Sequence, residues 1–157
     1  VTGVQTCALP ISRRLAKEAN DFVKKNIEGI QAGPVSENDL FDWTAIIQGP
    51  AGSSYEGGAF KLNIKVPENY PHKAPAVVFA VPLYHPNVDQ SSGQICLKLL
   101  EEWSPTINIE KILVAIRELL AKPEPDHAVN VSIAEEYVKN REEFNRKVKE
   151  FIKKNKI

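Results

Sequence analysis

The chain has 157 residues, of which 43% are hydrophobic and 25% are charged, and its formal net charge is zero. This length and apolar content are sufficient for one domain with a hydrophobic core. The balanced charge argues against a nucleic-acid-binding protein, and no apolar run has the length of a membrane span.

The first eleven residues, "VTGVQTCALPI", differ in character from the rest of the chain. They contain no charged residue, no regular hydrophobic period and no helix cap, and they lack the basic start and longer apolar core of a signal peptide. The string resembles a translated sequencing adaptor. We therefore expect residues 1–11 to be a non-native leader and residues 12–157 to form the functional domain.

A helical period begins at Ser12 and continues through "SRRLAKEANDFVKKNI". Its apolar residues fall on one helical face, and its basic residues lie among the solvent positions. The apolar face is predicted to contain Leu15, Ala19, Phe22 and Val23. Gly29 and the segment "AGPVSENDL" interrupt the pattern, so we expect one N-terminal helix that ends before Gly29.

Between Trp43 and Pro82 the hydrophobic period changes to two. The segment "AFKLNIKV" alternates cleanly between apolar and polar residues, and "WTAIIQG" and "AVVFAV" are also typical of strands. The connecting segments are rich in Gly, Pro and Asn, which suits hairpins. This part of the chain therefore predicts an antiparallel meander.

After Trp103 a broad apolar stripe from Ile109 to Leu120 predicts a helix that ends at "KPEP". Two further helices are indicated by capping spacings, Ser132 with Glu135 and Asn140 with Glu143. The chain is thus predicted to be an α+β domain. The expected order is an N-terminal helix, a four-stranded antiparallel meander, an irregular segment around Cys96, and three C-terminal helices.

Cys96 is the only cysteine outside the leader, in "HPNVDQSSGQICL". With Cys7 as the only other cysteine and no C-x-x-C spacing, a disulfide framework and a metal site are disfavoured and a reducing compartment is favoured. A thiolate is a strong nucleophile and a good leaving group, so Cys96 is a candidate acyl carrier. A lone cysteine before "LKLL" is also typical of a small buried apolar residue, and the local pattern alone favours that alternative.

From about residue 12 to residue 157 the chain resembles the ubiquitin-conjugating enzyme family. The resemblance depends on "GPAGSSYEGGAF", "YPHKAP", "HPNV", "GQICL", "WSP" and "PEPDHAVN", in that order. It implies that Cys96 carries ubiquitin or a ubiquitin-like protein as a thioester, and that Asn87 assists the oxyanion or braces the active-site loop. No cofactor or metal is implied. The segment before Cys96 is one residue longer than the commonest form, and the segment up to Trp103 is one residue shorter.

Two positions depart from the family pattern. Lys98 and His127 stand where members that transfer efficiently to lysine usually carry acidic residues. His127 is either a catalytic base or an ordinary surface residue. Together with "SRRLAKE" and "PEPDHAVNVSIAEEY", these departures resemble the branch that passes ubiquitin to a cysteine of HECT-type and RING-between-RING ligases.

The resemblance also implies three contact surfaces. The activating enzyme is expected to bind basic residues of the first helix, namely Arg13, Arg14 and Lys17. The ligase is expected to bind two loops, formed by His72 and Lys73 and by Ser104, Pro105 and Thr106. The donor ubiquitin is expected to contact Leu97, Lys111, Val114 and Glu118. The expected protein is a monomer in the cytoplasm, the nucleus or both.

Three alternatives stay open at this point. The enzyme could carry a different ubiquitin-like modifier, or it could be a non-catalytic ubiquitin-binding variant, although such variants typically lack the cysteine that is present here. A cysteine hydrolase would need a histidine base close to the sulfur. His85 and His127 are the candidates, but no hydrolase motif surrounds them, and His85 is expected to be a packed, hydrogen-bonded residue.

Overall fold

The computed structural model describes residues 2–25, 27–36, 39–70, 72–81, 83–95 and 97–154, apart from the side chains of residues 2–12 and Lys98. The strands are β1 (Ile30–Ser36), β2 (Asp39–Gln48), β3 (Ala59–Lys65) and β4 (Ala76–Phe79). The α-helices are α1 (Thr2–Lys25), α2 (Lys98–Glu101), α3 (Ile109–Ala121), α4 (Val131–Lys139) and α5 (Arg141–Lys154), and a 3₁₀ turn spans Pro125–His127.

The four strands form one antiparallel sheet in the order β1-β2-β3-β4, which confirms the predicted meander. The first helix ends at Lys25, before Gly29, as predicted, and the segment "AGPVS" after it lies in strand β1, which the sequence pattern did not predict. The segment has weak strand propensity, but pairing with β2 aligns Pro34 with Trp43. A proline is tolerated there because β1 lies at the edge of the sheet.

The core lies between one face of the sheet and the helices α1 and α3. Trp43, Leu62 and Ile64 on the sheet are fully buried, as is Leu15 of α1. The apolar stripe predicted on α3 is buried in the same core, and its residues are Ile109, Ile112, Leu113, Ile116, Leu119 and Leu120. Val23, which was predicted on the buried face of α1, is 78% exposed because it lies at the edge of the stripe defined by Leu15 and Phe22.

Two helix starts differ from the sequence pattern. Helix α1 begins at Thr2, so its backbone continues through the segment predicted to be a leader. The domain boundary at residue 12 stays a prediction. Helix α4 begins at Val131 after Asn130, so the predicted cap at Ser132 is wrong, and the Ser132 hydroxyl bonds the Asn130 side chain instead. None of the helices within the described ranges is both long and apolar enough to cross a membrane.

Candidate active site

Cys96 itself lies outside the described residues, and the candidate site is built from the segments around it. Residues 88–95 form a tight turn that is attached to β4, the edge strand of the sheet. Val78 pairs with Gln94, and Val88 pairs with Ile95, both in antiparallel bridges. Leu97, the residue after Cys96, is packed into the core with 7% exposure. The chain on both sides of Cys96 is therefore anchored.

The turn is stabilised by Asp89 and Gly93. The Asp89 carboxylate accepts hydrogen bonds from the Ser91 amide (2.9 Å) and hydroxyl (2.7 Å), which lower the pKa of Asp89. The Gly93 amide donates to the Asp89 carbonyl (2.8 Å), and the Gly93 carbonyl accepts from the Phe79 amide (2.9 Å). Gly93 has φ +77°, and a Cβ there would lie 2.2 Å from the Phe79 carbonyl oxygen. Only glycine fits this position without rearrangement.

Asn87 connects this segment to the loop before α4. Its side chain is fully buried, and Nδ2 donates to the carbonyl oxygens of Glu124 (2.9 Å) and His127 (3.2 Å). Its Oδ1 accepts from the Glu124 amide (2.9 Å). Both amide hydrogens are in use, so the geometry matches the bracing role. Donation to an oxyanion would require one of these two bonds to be exchanged.

His85 is a structural residue of the same segment. It is fully buried; Nδ1 accepts from the Asn87 amide (2.9 Å), so Nε2 carries the hydrogen and donates to the Leu119 carbonyl (3.0 Å). Burial lowers the pKa of His85 to about 4, partly opposed by the bond to Leu119. The ring is neutral and has no free lone pair, which agrees with the expected packed role and leaves His85 unable to act as a base.

His127 lies at the end of the 3₁₀ turn, and its side chain is exposed. Its main chain is held by Asn87, so the loop presents this imidazole from a fixed backbone. Of the two histidines considered as bases, His127 alone has a ring that reaches solvent. The site thus combines a fixed backbone with an imidazole on the loop that solvent can reach.

A groove of about 440 Å³ opens beside Leu97. It is lined by residues from the segment after Cys96, from α3 and from the following loop: Leu97, Leu99, Glu102, Ala115, Glu118, Leu119, Lys122 and Glu124. The groove brings together two of the expected donor-ubiquitin contacts, Leu97 and Glu118. The other two, Lys111 and Val114, lie on α3 outside the groove lining.

The expected ligase loops are at the surface. His72 and Lys73 are exposed, as are Pro105 and Thr106, and Ser104 is half-buried. In the expected surface for the activating enzyme, Arg13 and Lys17 are exposed. Arg14 is different: its side chain is 34% exposed and it donates hydrogen bonds to Glu18 and to the Pro105 carbonyl.

Sequence reasoning missed Glu18 and Tyr70, which connect α1 to both of the loops expected to bind a ligase. The Tyr70 hydroxyl donates to Glu18 (2.7 Å), and the Tyr70 and Trp103 rings lie 6.1 Å apart. No spacing rule could have identified this pair, because the contact joins residues 52 positions apart. Among the described residues, which exclude Cys96, no three His, Cys, Asp or Glu side chains are grouped closely enough to hold a metal ion.

Comparisons with known proteins place the chain in a family. The sequence model described as ubiquitin-conjugating enzyme matches residues 14–152. Ubiquitin conjugating enzyme E2 B of Dictyostelium discoideum is 39% identical over 142 residues, which cover 90% of this chain and 95% of that protein. Probable ubiquitin-conjugating enzyme E2 31 of Arabidopsis thaliana is 38% identical over 141 residues, which cover 89% and 90%.

A solved structure confirms the fold. The E2 domain of a Toxoplasma gondii ubiquitin conjugating enzyme superposes with a TM-score of 0.82 at 34% identity, covering 90% of this chain and 96% of that one. The same arrangement of an N-terminal helix, a four-stranded sheet and C-terminal helices is therefore shared along nearly the whole length. The chain belongs to the ubiquitin-conjugating enzymes, a family of transferases that form thioester intermediates.

Proposed function

We propose that this protein accepts ubiquitin as a thioester on Cys96 and passes it preferentially to a cysteine of a HECT-type or RING-between-RING ligase. The observation that supports the preference is the loop held by Asn87. The Asn87 amide fixes the backbone at Glu124 and His127, so the loop offers an exposed imidazole at the position of the usual carboxylate.

The proposed chemistry consists of two thioester exchanges. The Cys96 thiolate attacks the thioester carbonyl on the activating enzyme, forms a new carbon–sulfur bond and releases the thiolate of that enzyme. A ligase thiolate then attacks the Cys96 thioester and releases the Cys96 thiolate. Because both the nucleophile and the leaving group are thiolates, neither exchange requires a base at the moment of attack.

Transfer to lysine, in contrast, requires removal of a proton from the attacking amine. An amine with an ordinary pKa near 10.4 must lose a proton to become nucleophilic, and a carboxylate close to the thioester would orient it and accept that proton. Lys98 adds a positive charge two residues after Cys96, and the imidazole of His127, unlike a carboxylate, carries no negative charge that would attract and orient the lysine ammonium. Cysteine is therefore the favoured acceptor.

The proposed partners follow from the same resemblance. Exposed Arg13 and Lys17 suit an acidic surface of the activating enzyme, and the exposed loops at His72 and Pro105 suit a ligase. Glu118 would contact the donor ubiquitin along the groove beside Leu97. We further propose that the protein acts as a monomer in the cytoplasm, the nucleus or both, since its few cysteines suit a reducing compartment.

Thioester charging tests the first step. The protein is incubated with activating enzyme, ubiquitin and ATP, and the product is run on a gel with and without thiol reductant. The wild type should give an adduct that reductant removes, and Cys96→Ser should give a reductant-stable ester or no adduct. A charged Cys96→Ala variant with unchanged reductant sensitivity would contradict the assignment. Parallel reactions with other modifiers and their activating enzymes identify the cargo.

Discharge of the charged protein tests the acceptor preference. Free cysteine should discharge the thioester much faster than free lysine at pH 7.5. The double variant Lys98→Asp, His127→Asp should raise the lysine rate by about tenfold or more, because it restores carboxylates at both positions. Lys61→Asp, on the outer face of β3, is the matched charge control. Rapid lysine discharge by the wild type would refute the preference.

A further inference from the structure

We propose that Glu18 is a positioning residue that fixes both loops of the ligase-binding surface, and that Arg14 acts with Glu18 in this role rather than as a contact for the activating enzyme. The identity of that surface rests on the proposed function. The positioning itself rests on contacts between α1, the loop before β4, and the segment before α3.

Glu18 receives hydrogen bonds from three separate parts of the chain. Its Oε2 accepts from the Tyr70 hydroxyl (2.7 Å) and from Arg14 Nε (3.3 Å), and its Oε1 accepts from the Ile109 amide (2.9 Å). Ile109 is the first residue of α3, so the carboxylate also stabilises the positive end of that helix. The Glu18 side chain is only 11% exposed, so the carboxylate is largely shielded from solvent at the junction where these segments meet.

Arg14 extends this junction to the second ligase loop. Its Nη2 donates to the Pro105 carbonyl (3.0 Å) and to the Ile107 carbonyl (3.4 Å), on either side of Thr106. The guanidinium carbon also lies 5.3 Å from the centre of the Tyr70 ring. The planar group therefore has partners on most of its donors, in contrast to the exposed side chains of Arg13 and Lys17.

Tyr70 extends the junction to the first ligase loop. It is fully buried two residues before His72, and the amides of both residues close the turn through the Pro67 and Asn69 carbonyls. Burial, together with the bond to Glu18, raises the pKa of Tyr70, so the hydroxyl stays a donor. One carboxylate thus holds the loop at His72 through Tyr70 and the loop at Pro105 through Arg14.

Glu18→Gln weakens the hydrogen bonds that hold the two loops and leaves the exposed basic side chains of α1 unchanged. The amide keeps the size of the side chain but has one acceptor oxygen and places an NH₂ group against donors. Arg14→Lys keeps the positive charge but cannot bridge Glu18 and two carbonyls. Neither change touches Arg13 or Lys17. The matched control is Glu110→Gln, which removes the Lys25–Glu110 ion pair between the same two helices but lies outside both loops.

The first experiment compares two steps of the reaction. Charging by the activating enzyme is measured without ligase, and transfer is measured against increasing concentrations of an isolated HECT domain and an isolated RING-between-RING domain. For Glu18→Gln and Arg14→Lys we expect charging within about twofold of wild type and an apparent KM for the ligase domain raised about tenfold, with kcat little changed. Glu110→Gln should change neither step.

Two results would overturn the proposal. One is a charging defect in Arg14→Gln as large as that in Arg13→Gln, which would make Arg14 an ordinary contact for the activating enzyme. The other is an unchanged ligase KM in both Glu18→Gln and Arg14→Lys. Should Glu18→Gln fail to fold, Tyr70→Phe, which removes only the hydroxyl that bonds Glu18, tests the loop at His72, and Arg14→Lys tests the loop at Pro105.

Amide hydrogen exchange tests the positioning independently of any partner. In Arg14→Lys, peptides covering residues 103–108 should exchange faster than in wild type, while peptides of β2 and β3 should be unchanged. Unchanged exchange at 103–108 would refute the positioning role. A wild-type protein that does not charge with any modifier would refute the proposed function, and the exchange result would still decide whether Arg14 fixes the loop at Pro105.

Discussion

At the scale of single residues, burial keeps the imidazole of His85 neutral and makes it a structural residue. The imidazole is neutral because it lies in the core and both nitrogens are bonded, to the Asn87 amide and the Leu119 carbonyl. The ordinary pKa of 6.5 falls to about 4 in the folded protein. Folding is therefore linked to the protonation of this residue, with a definite sign.

We expect the free energy of unfolding to fall as the pH falls from 6.5 to 4. Above pH 6.5, His85 is neutral in both the folded and the unfolded protein, so its protonation does not reduce the free energy of unfolding. Between pH 6.5 and 4 the unfolded chain binds a proton on His85 that the folded chain does not. The free energy of unfolding therefore falls by about 3 kcal/mol across this range. Urea unfolding of wild type and His85→Gln at several pH values would show it, since the other titrating groups are common to both. Parallel stability curves would contradict this linkage.

At the scale of elements, the segment before Cys96 depends on its attachment to β4. Gly93 lies where a Cβ would approach the Phe79 carbonyl oxygen to 2.2 Å, at a φ of +77°. We expect Gly93→Ala to cost about 3 kcal/mol or more in unfolding free energy, because both the backbone conformation and the contact are lost. It should also slow thioester charging, because the chain leading to Cys96 would move.

Gly52→Ala is the matched control for this prediction. Gly52 has φ +81° but no atom lies within 4 Å of its Cβ position, so only the backbone cost of about 1 kcal/mol applies. Denaturant unfolding of both variants separates the two effects. If Gly93→Ala and Gly52→Ala are equally destabilised, the close contact with β4 contributes nothing.

The elements also show which parts of the fold can be predicted from sequence. Strands β2, β3 and β4 and helix α3 have strong periodicity of their own, so their predictions were confirmed. Strand β1 has little such pattern and forms because β2 pairs with it. The family motifs located Asn87 and His127. Glu18 could not be found, because its bonds to Tyr70 and Ile109 join positions far apart in the chain.

At the scale of the whole molecule, the described side chains of α1 join the helix to the rest of the domain along one face. Among its described side chains, the contacts with the rest of the domain start at Arg14 and Leu15. They continue through Glu18 and Phe22 to the ion pair of Lys25 with Glu110. The family match likewise begins at residue 14. The domain is therefore expected to hold together without residues 1–11.

We expect deletion of residues 1–11 to leave the Tm within about 2 °C of the full chain and thioester charging unchanged, because the match to the family begins only at residue 14. Deletion of residues 1–16 is the control. It removes buried Leu15 and the Arg14 bonds to the loop at Pro105, and should cost about 3 kcal/mol or more. Calorimetry and the charging gel measure both effects. If the shorter deletion lowers the Tm as much as the longer one, residues 1–11 belong to the folded domain, since the helix they extend would then contribute to its stability.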